Sequence, residues 1–386
     1  MIFFDPRLKY RYNYTVEKRY LHKSVTNDLK KKMVFISGPR QVGKTTLAKT
    51  LLKSKSGYLN WDIPEHRQSI LKYNLPRCKQ WCFDEIHKHK KWKDYLKGVY
   101  DKHGDEKEIL VTGSARLDFF KKSGDSLQGR YYHLRLHPLS VAELKLKTQR
   151  EFIQLLEKSG FPEPYFSKNK TQVRRWSLNY RSLLVNDEIP QLDMVSDIAK
   201  LELMTLRLPE LVGAPLSINS LREDLEISHK TASRWLGLIE KVYGIFRLPP
   251  LGSSLIRAVK KEQKHYHYDW TLVKEDSFRF ENLVACHLLK WVHYQRDVCG
   301  EDFELRYVRD TDKREVDFCL LKDQKPFEFV ECKWSDNTKT SDHLKYFQKK
   351  FPTANFIQIS SIGKKNYVTS SGIEHMPALK YLSNKI

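Results

Sequence analysis

The chain has 386 residues, 40% hydrophobic and 12% aromatic, more than one ordinary core holds, so about two or three packed domains and no long disordered tract are expected. Its 69 Lys and Arg against 47 Asp and Glu give a net charge of +22, which favours polyanionic partners, nucleic acid first, although a basic surface can serve solubility alone. No stretch reaches the ~18 apolar residues of a membrane span, MIFFDPRLKYRYNY lacks the apolar run of a signal peptide, and six scattered cysteines make no disulfide framework, so a cytoplasmic protein is expected.

In chain order, the first element is an apolar strand, Met33 to Ile36, that runs into Gly38-x-x-x-x-Gly43-Lys44-Thr45. Leu47, Leu51 and Leu52 then take helical spacing. A glycine-rich loop between strand and helix turns backbone N–H groups inward around phosphates, and the helix N-terminus adds its positive end. Gly38, Gln41, Val42, Gly43, Lys44, Thr45 and Thr46 form the expected nucleotide-binding set, with Lys44 reaching the outer phosphates and Thr45 ligating magnesium.

The next strand, Trp81 to Phe83, ends in Asp84 and Glu85. Alone, that pair reads equally as a helix cap. Beside a phosphate loop, Asp84 is expected to hold the magnesium and Glu85 to polarise the attacking water. A third strand, in EILVTGSARLDFF, ends at Ser114, a candidate to position that water, and Arg116 follows it. Arg116 and Arg130 are both candidates to stabilise phosphoryl charge, within the chain or across a contact in a homo-oligomer, with surface salt bridging as the plain alternative. Cys78 and Cys82 form too weak a signal for zinc, and Cys82, Cys319 and Cys332 fit strands as small hydrophobes.

GPRQVGKTT, YLNWDIPEHR, FDEIHK, VTGSAR, GRYYHLRLHPLSVAEL and GFPEPYF stand in that order along the chain. In this the sequence resembles prokaryotic AAA-plus ATPases that carry a C-terminal domain of unknown function, from about Leu21 to the end. The resemblance implies an ATP-binding or ATP-hydrolysing first module and, often, a restriction-endonuclease-like module at the end.

From Glu151 to Gly213 leucines recur at three- and four-residue spacing, as in a helical linker or lid. Leu221 and Leu225 then mark a short helix, and Ser228 caps a second whose stripe is Trp235, Leu236 and Ile239. With a hairpin from Gly244 to Leu248 as a wing, this is helix-turn-helix geometry. It leaves His229, Lys230, Ser233 and Arg234 exposed for DNA, unless the module is a lid or a protein contact.

Beyond Ile256 a helix carrying Glu281 precedes strands holding Asp317 and then Glu331-Cys332-Lys333, a further helix and the strand ANFIQIS. The order α-β-β-β-α-β is that of restriction-endonuclease-like nucleases. Strand alternation puts Glu331 and Lys333 on one face and Val330, Cys332 and Trp334 on the other. Glu281, Asp317 and Glu331 are hard oxygen ligands suited to Mg2+ or Mn2+, with Lys333 to orient or deprotonate water, whereas an ordinary solvated sheet face is the plain reading.

The expected fold is therefore α/β: a lead over 1–20, a P-loop AAA-plus ATPase domain over 21–145, a helical lid over 146–213, a winged helix over 214–255 and a restriction-endonuclease-like domain over 256–386. The expected function is a Mg-ATP-dependent ATPase coupled to a metal-dependent DNA nuclease. The alternative is an ATP-controlled DNA-binding switch with a catalytically silent nuclease-like fold.

Overall fold

Short apolar runs, each closed by a polar turn, build the first layer of the chain. The computed structural model describes residues 18–113, 127–252 and 262–386. β1 (Met33–Ser37), β2 (Tyr58–Asn60), β3 (Gln80–Asp84), β4 (Glu108–Thr112) and β5 (Tyr131–Arg135) form a five-stranded sheet in the order β2-β3-β4-β1-β5. All its pairings are parallel, so both faces are covered. The alternation along β1 follows from that. Met33 and Phe35 join an apolar cluster with Phe83, Trp92 and Leu96, while Val34 and Ile36 join another with Leu47, Ala48 and Leu110. α1 (Lys44–Leu51) thus lies on one face and α2 (Trp92–His103) on the other.

A helical layer follows. α3 (Gln149–Lys158) opens on a capping box between Thr148 and Glu151, and α4 (Lys170–Leu183), capped by Asn169, runs into a π-helical turn at Leu184–Glu188. After α5 (Ile198–Arg207) come α6 (Ile218–Asp224) and α7 (His229–Lys241), whose N-cap is Ser228. β6 (Pro215–Leu216), β7 (Ile245–Leu248) and β8 (Gln263–His267) make a three-stranded antiparallel sheet in the order β6-β8-β7. Because β7 pairs with β8, the wing runs past the boundary expected at 255.

The last part begins with α8 (Asp276–Tyr294). β9 (Phe303–Arg309), β10 (Glu315–Lys322) and β11 (Lys325–Ser335) then pair antiparallel, α9 (Asp342–Lys350) crosses, and β12 (Asn355–Ile362) returns parallel to β11. With β13 (Tyr367–Val368) and β14 (Glu374–Pro377) the sheet order is β13-β14-β12-β11-β10-β9. The helix and strand order is the expected one. A register break between Val316 and Cys319, against β9, redirects the chain at Asp317.

One apolar cluster joins all of these layers, running from Val34 and Leu47 through Trp176 and Leu236 to Leu283, Phe318 and Val330. Among the described residues no helix is long and apolar enough to cross a membrane.

Candidate functional site

The loop after β1 has the backbone a phosphate cradle needs. Gly38 and Gly43 have φ of +142° and +102°, and Gln41 is also left-handed at 60°. A Cβ on Gly38 would stand 2.2 Å from the Leu136 carbonyl oxygen, so only glycine fits. Arg19 props the loop from beneath, donating to the Val42 carbonyl at 2.6 Å and to Glu143 at 2.5 Å. Buried Lys290 of α8 donates to the same Glu143 at 2.6 Å. Burial alone would raise the Glu143 carboxyl, but Arg19 and Lys290 outweigh it and hold it down to about 2.

Lys44 is buried and donates to the Gly38 and Pro39 carbonyls at 2.8 and 2.7 Å. Burial pulls its ammonium below the usual range against the pull of Glu85 and Asp84. A buried cation resting on loop carbonyls is what an incoming phosphate would take over, so these residues fit a nucleotide. Val42 is buried, whereas Gln41 and Thr46 are exposed at the loop's rim.

Asp84 ends β3 beside the loop. Its Oδ2 accepts from Thr45 at 2.9 Å and from Tyr58 at 2.6 Å, and its Oδ1 accepts from Thr112 at 2.6 Å. Thr45 and Asp84, the two residues expected to hold magnesium, are thus in direct contact. Glu85 takes a left-handed backbone (φ 59°) and lies 3.4 Å from Lys88 and 3.6 Å from His87. Burial pushes its carboxyl up, with Asp84 adding to that and Lys88 and Lys44 opposing it.

Arg130 stands elsewhere. It precedes Tyr131, which pairs with Met33 at the far end of β1, whereas the phosphate loop leaves Ser37, opposite Arg135. Five strand residues at about 3.3 Å each put roughly 16 Å between Arg130 and the loop end. Arg130 pairs with Asp101 at 2.7 Å, at the other end of β1 from the loop. Ser114 and Arg116 lie outside the described residues.

The helical layer covers the loop. Trp176 of α4 donates its indole N–H to Gln41 at 2.7 Å, and Glu188, at the end of the π turn, pairs with Arg40. Neither contact was legible in the sequence.

On α7, His229, Lys230, Ser233 and Arg234 are all exposed. Arg234, however, is held by Asp193 at 2.5 Å and by the Met194 carbonyl at 2.9 Å.

In the C-terminal part the structure gathers Glu281, Asp317, Glu331 and Lys333 and adds three residues that sequence reasoning missed, Lys264, Tyr266 and Glu315. Lys264 of β8, fully buried, lies 3.1 Å from Glu281, 2.7 Å from Glu315 and 3.8 Å from Asp317. The acids more than offset its burial and raise its ammonium's affinity for its proton. Tyr266 donates to Glu281 at 2.6 Å, the Cys332 amide donates to Asp317 at 2.8 Å, and Lys333 donates to Glu331 at 2.8 Å. The other Glu331 oxygen is buried without a hydrogen-bond partner. Burial first, and the Asp317 carboxylate next, push Glu331 up; burial likewise raises Glu281. Among the described residues no three His, Cys, Asp or Glu side chains are placed together to hold a metal, and the Lys264 ammonium stands among these acids.

Residues 30–145 match the family described as an AAA domain, 149–275 a domain of unknown function (DUF8612) and 278–381 a domain of unknown function (DUF4143). The chain thus carries an AAA-type P-loop domain. Uncharacterized proteins of Mycobacterium tuberculosis and Mycobacterium bovis are each 22% identical over 247 residues, 62% of this chain and 55% of theirs. The chain therefore spans about half the length of the curated relatives it matches. Among solved structures, the Aeropyrum pernix Orc1 protein in complex with DNA is similar at 11% identity, over 69% of this chain and 92% of that one, with a TM-score of 0.34. A Pyrococcus horikoshii signal transduction ATPase with a tetratricopeptide repeat sensor is similar at 13% identity, over 73% and 47%, with a TM-score of 0.23.

Proposed function

We infer that the chain binds and hydrolyses ATP. The observation that carries this is the convergence of Lys44, Thr45 and Asp84 on one glycine-shaped loop, with Thr45 donating to Asp84 at 2.9 Å. Bound magnesium would neutralise phosphate charge and sharpen the electrophile. Lys44 would exchange the Gly38 and Pro39 carbonyls for phosphate oxygens, Asp84 would fix the cation's side of the loop, and Glu85 would hold and polarise the attacking water. Lys44→Ala is expected to abolish binding of a fluorescent ATP analogue, and Glu85→Gln to keep binding while slowing hydrolysis by about 100-fold or more. Hydrolysis at the wild-type rate in Glu85→Gln assigns the water to another residue.

A second reading concerns the C-terminal centre as a metal-dependent DNA nuclease, and a charge imbalance favours it. Glu281, Glu315, Asp317 and Glu331 meet Lys264, Lys333 and Arg309, which leaves one more acid than cations. The unpartnered Glu331 oxygen, beside Asp317, fits a hard cation. Asp317 and Glu331 would hold it, Glu281 would join after releasing Lys264, and Lys333 would orient water. The net charge of +22 and the exposed face of α7 support DNA as the partner. Purified protein is expected to cleave plasmid or single-stranded DNA with Mg2+ or Mn2+, and Lys333→Ala to lose that cleavage without losing ATP hydrolysis measured in the absence of DNA. Binding of DNA without cleavage points instead to the nucleotide-controlled switch.

A further inference from the structure

The strand β2 carries Tyr-Leu-Asn, and the nucleotide reading assigns it nothing. Its register is informative. Asn60 pairs with Asp84 of β3, which pairs with Thr112 of β4, so the three side chains form a row across adjacent strands on the face that bears α1. Leu59, between the two polar residues, points into the opposite apolar cluster. Tyr58 therefore rises on the same face as Asn60 and delivers its hydroxyl to Asp84 Oδ2 at 2.6 Å.

The hydroxyl's direction is set by its neighbours. Asn60 donates its amide to the Tyr58 oxygen at 3.1 Å, so the phenolic proton is left to point at Asp84. Lys49 of α1 lies over the ring, 4.4 Å from its centre, which fixes the ring between helix and strand. On the carboxylate, Thr45 and Tyr58 take Oδ2 at 2.9 and 2.6 Å and the Asn60 amide reaches it more weakly at 3.4 Å, while Thr112 takes Oδ1. When Thr45 turns toward a cation at the phosphates, Tyr58 is the close donor that stays on Oδ2.

We propose that Tyr58, oriented by Asn60, is a positioning residue for magnesium at the nucleotide site: it holds the Asp84 carboxylate in the attitude from which it grips the cation or the cation's water. The inference rests on the ATP reading above and deepens it. It predicts a separation between nucleotide affinity and metal affinity, because Tyr58 touches neither the loop nor the phosphates' other donor, Lys44.

The test uses the full chain and a fluorescent ATP analogue, titrated with Mg2+ after EDTA treatment. Tyr58→Phe keeps the ring and removes only the hydroxyl. Its affinity for the analogue in EDTA is expected to equal that of the wild type, while the Mg2+ concentration at half effect rises by about 10-fold. The turnover number falls, and KM for ATP at saturating magnesium holds. Asn60→Ala, which frees the hydroxyl to rotate and removes the weak 3.4 Å contact with Oδ2, is expected to shift the magnesium midpoint the same way by less. An unchanged midpoint in Tyr58→Phe overturns the proposal, as does a lowered melting temperature with no change in the midpoint, which is the mark of a brace only. A wild-type chain that binds no analogue with or without Mg2+ overturns the ATP reading itself, and the inference with it.

Discussion

At Lys264 a single buried ammonium answers to Glu281 and Glu315, with Asp317 just beyond. Removing one partner of a buried charge set costs more than the set is worth intact, because the remaining carboxylates lose their cation without regaining water. Lys264→Met is therefore expected to destabilise the protein by about 3–5 kcal/mol, read as a lower urea midpoint, and Mn2+ is expected to restore part of the loss. A variant as stable as the wild type would show that Glu281 and Glu315 are satisfied by other means. Asp317, Glu331 and Lys333 were legible from strand alternation and from acid-x-lysine spacing. Lys264 was not: it sits in KKEQKHYHYDW, a stretch that reads as polar surface, yet Lys264, His265, Tyr266 and His267 are all buried in β8. Their burial follows from sheet pairing across the chain, which no local pattern reveals.

Among the elements, those that depend on contiguous residues were readable and those that depend on packing were not. The phosphate loop, its flanking strand and helix, and the Ser228 cap are local devices, and they stand where their residues put them. Arg130 shows the limit. Its distance in sequence from the loop is unremarkable, but a parallel β5 begins at the end of the sheet that β1 leaves behind, so strand direction sets its Cα at the far end from the loop. The lid contact is longer in range still. Trp176 and Gln41 are separated by 135 positions and meet where Trp176 and Tyr180 of α4 pack together on Phe161. A π-helical turn completes the lid, and such turns place a side chain, here Glu188, off the line that a continuous helix would give it.

Across the whole molecule, the AAA-type domain, the helical layer, the wing and the C-terminal sheet share one apolar cluster and are cross-tied by Arg19, Glu143 and Lys290. The loop is thus linked to α8, the helix that carries Glu281, through side chains and not through a flexible tether. The indole that rests on Gln41 gives this an optical side. Its emission reports the polarity and hydrogen bonding of its own N–H. Filling the loop with nucleotide is expected to shift the intrinsic fluorescence of the native chain with no dye attached, and Trp176→Phe to abolish that shift while the other tryptophans stay silent. The protein would then carry its own gauge of occupancy, built from the same bond that seats its lid.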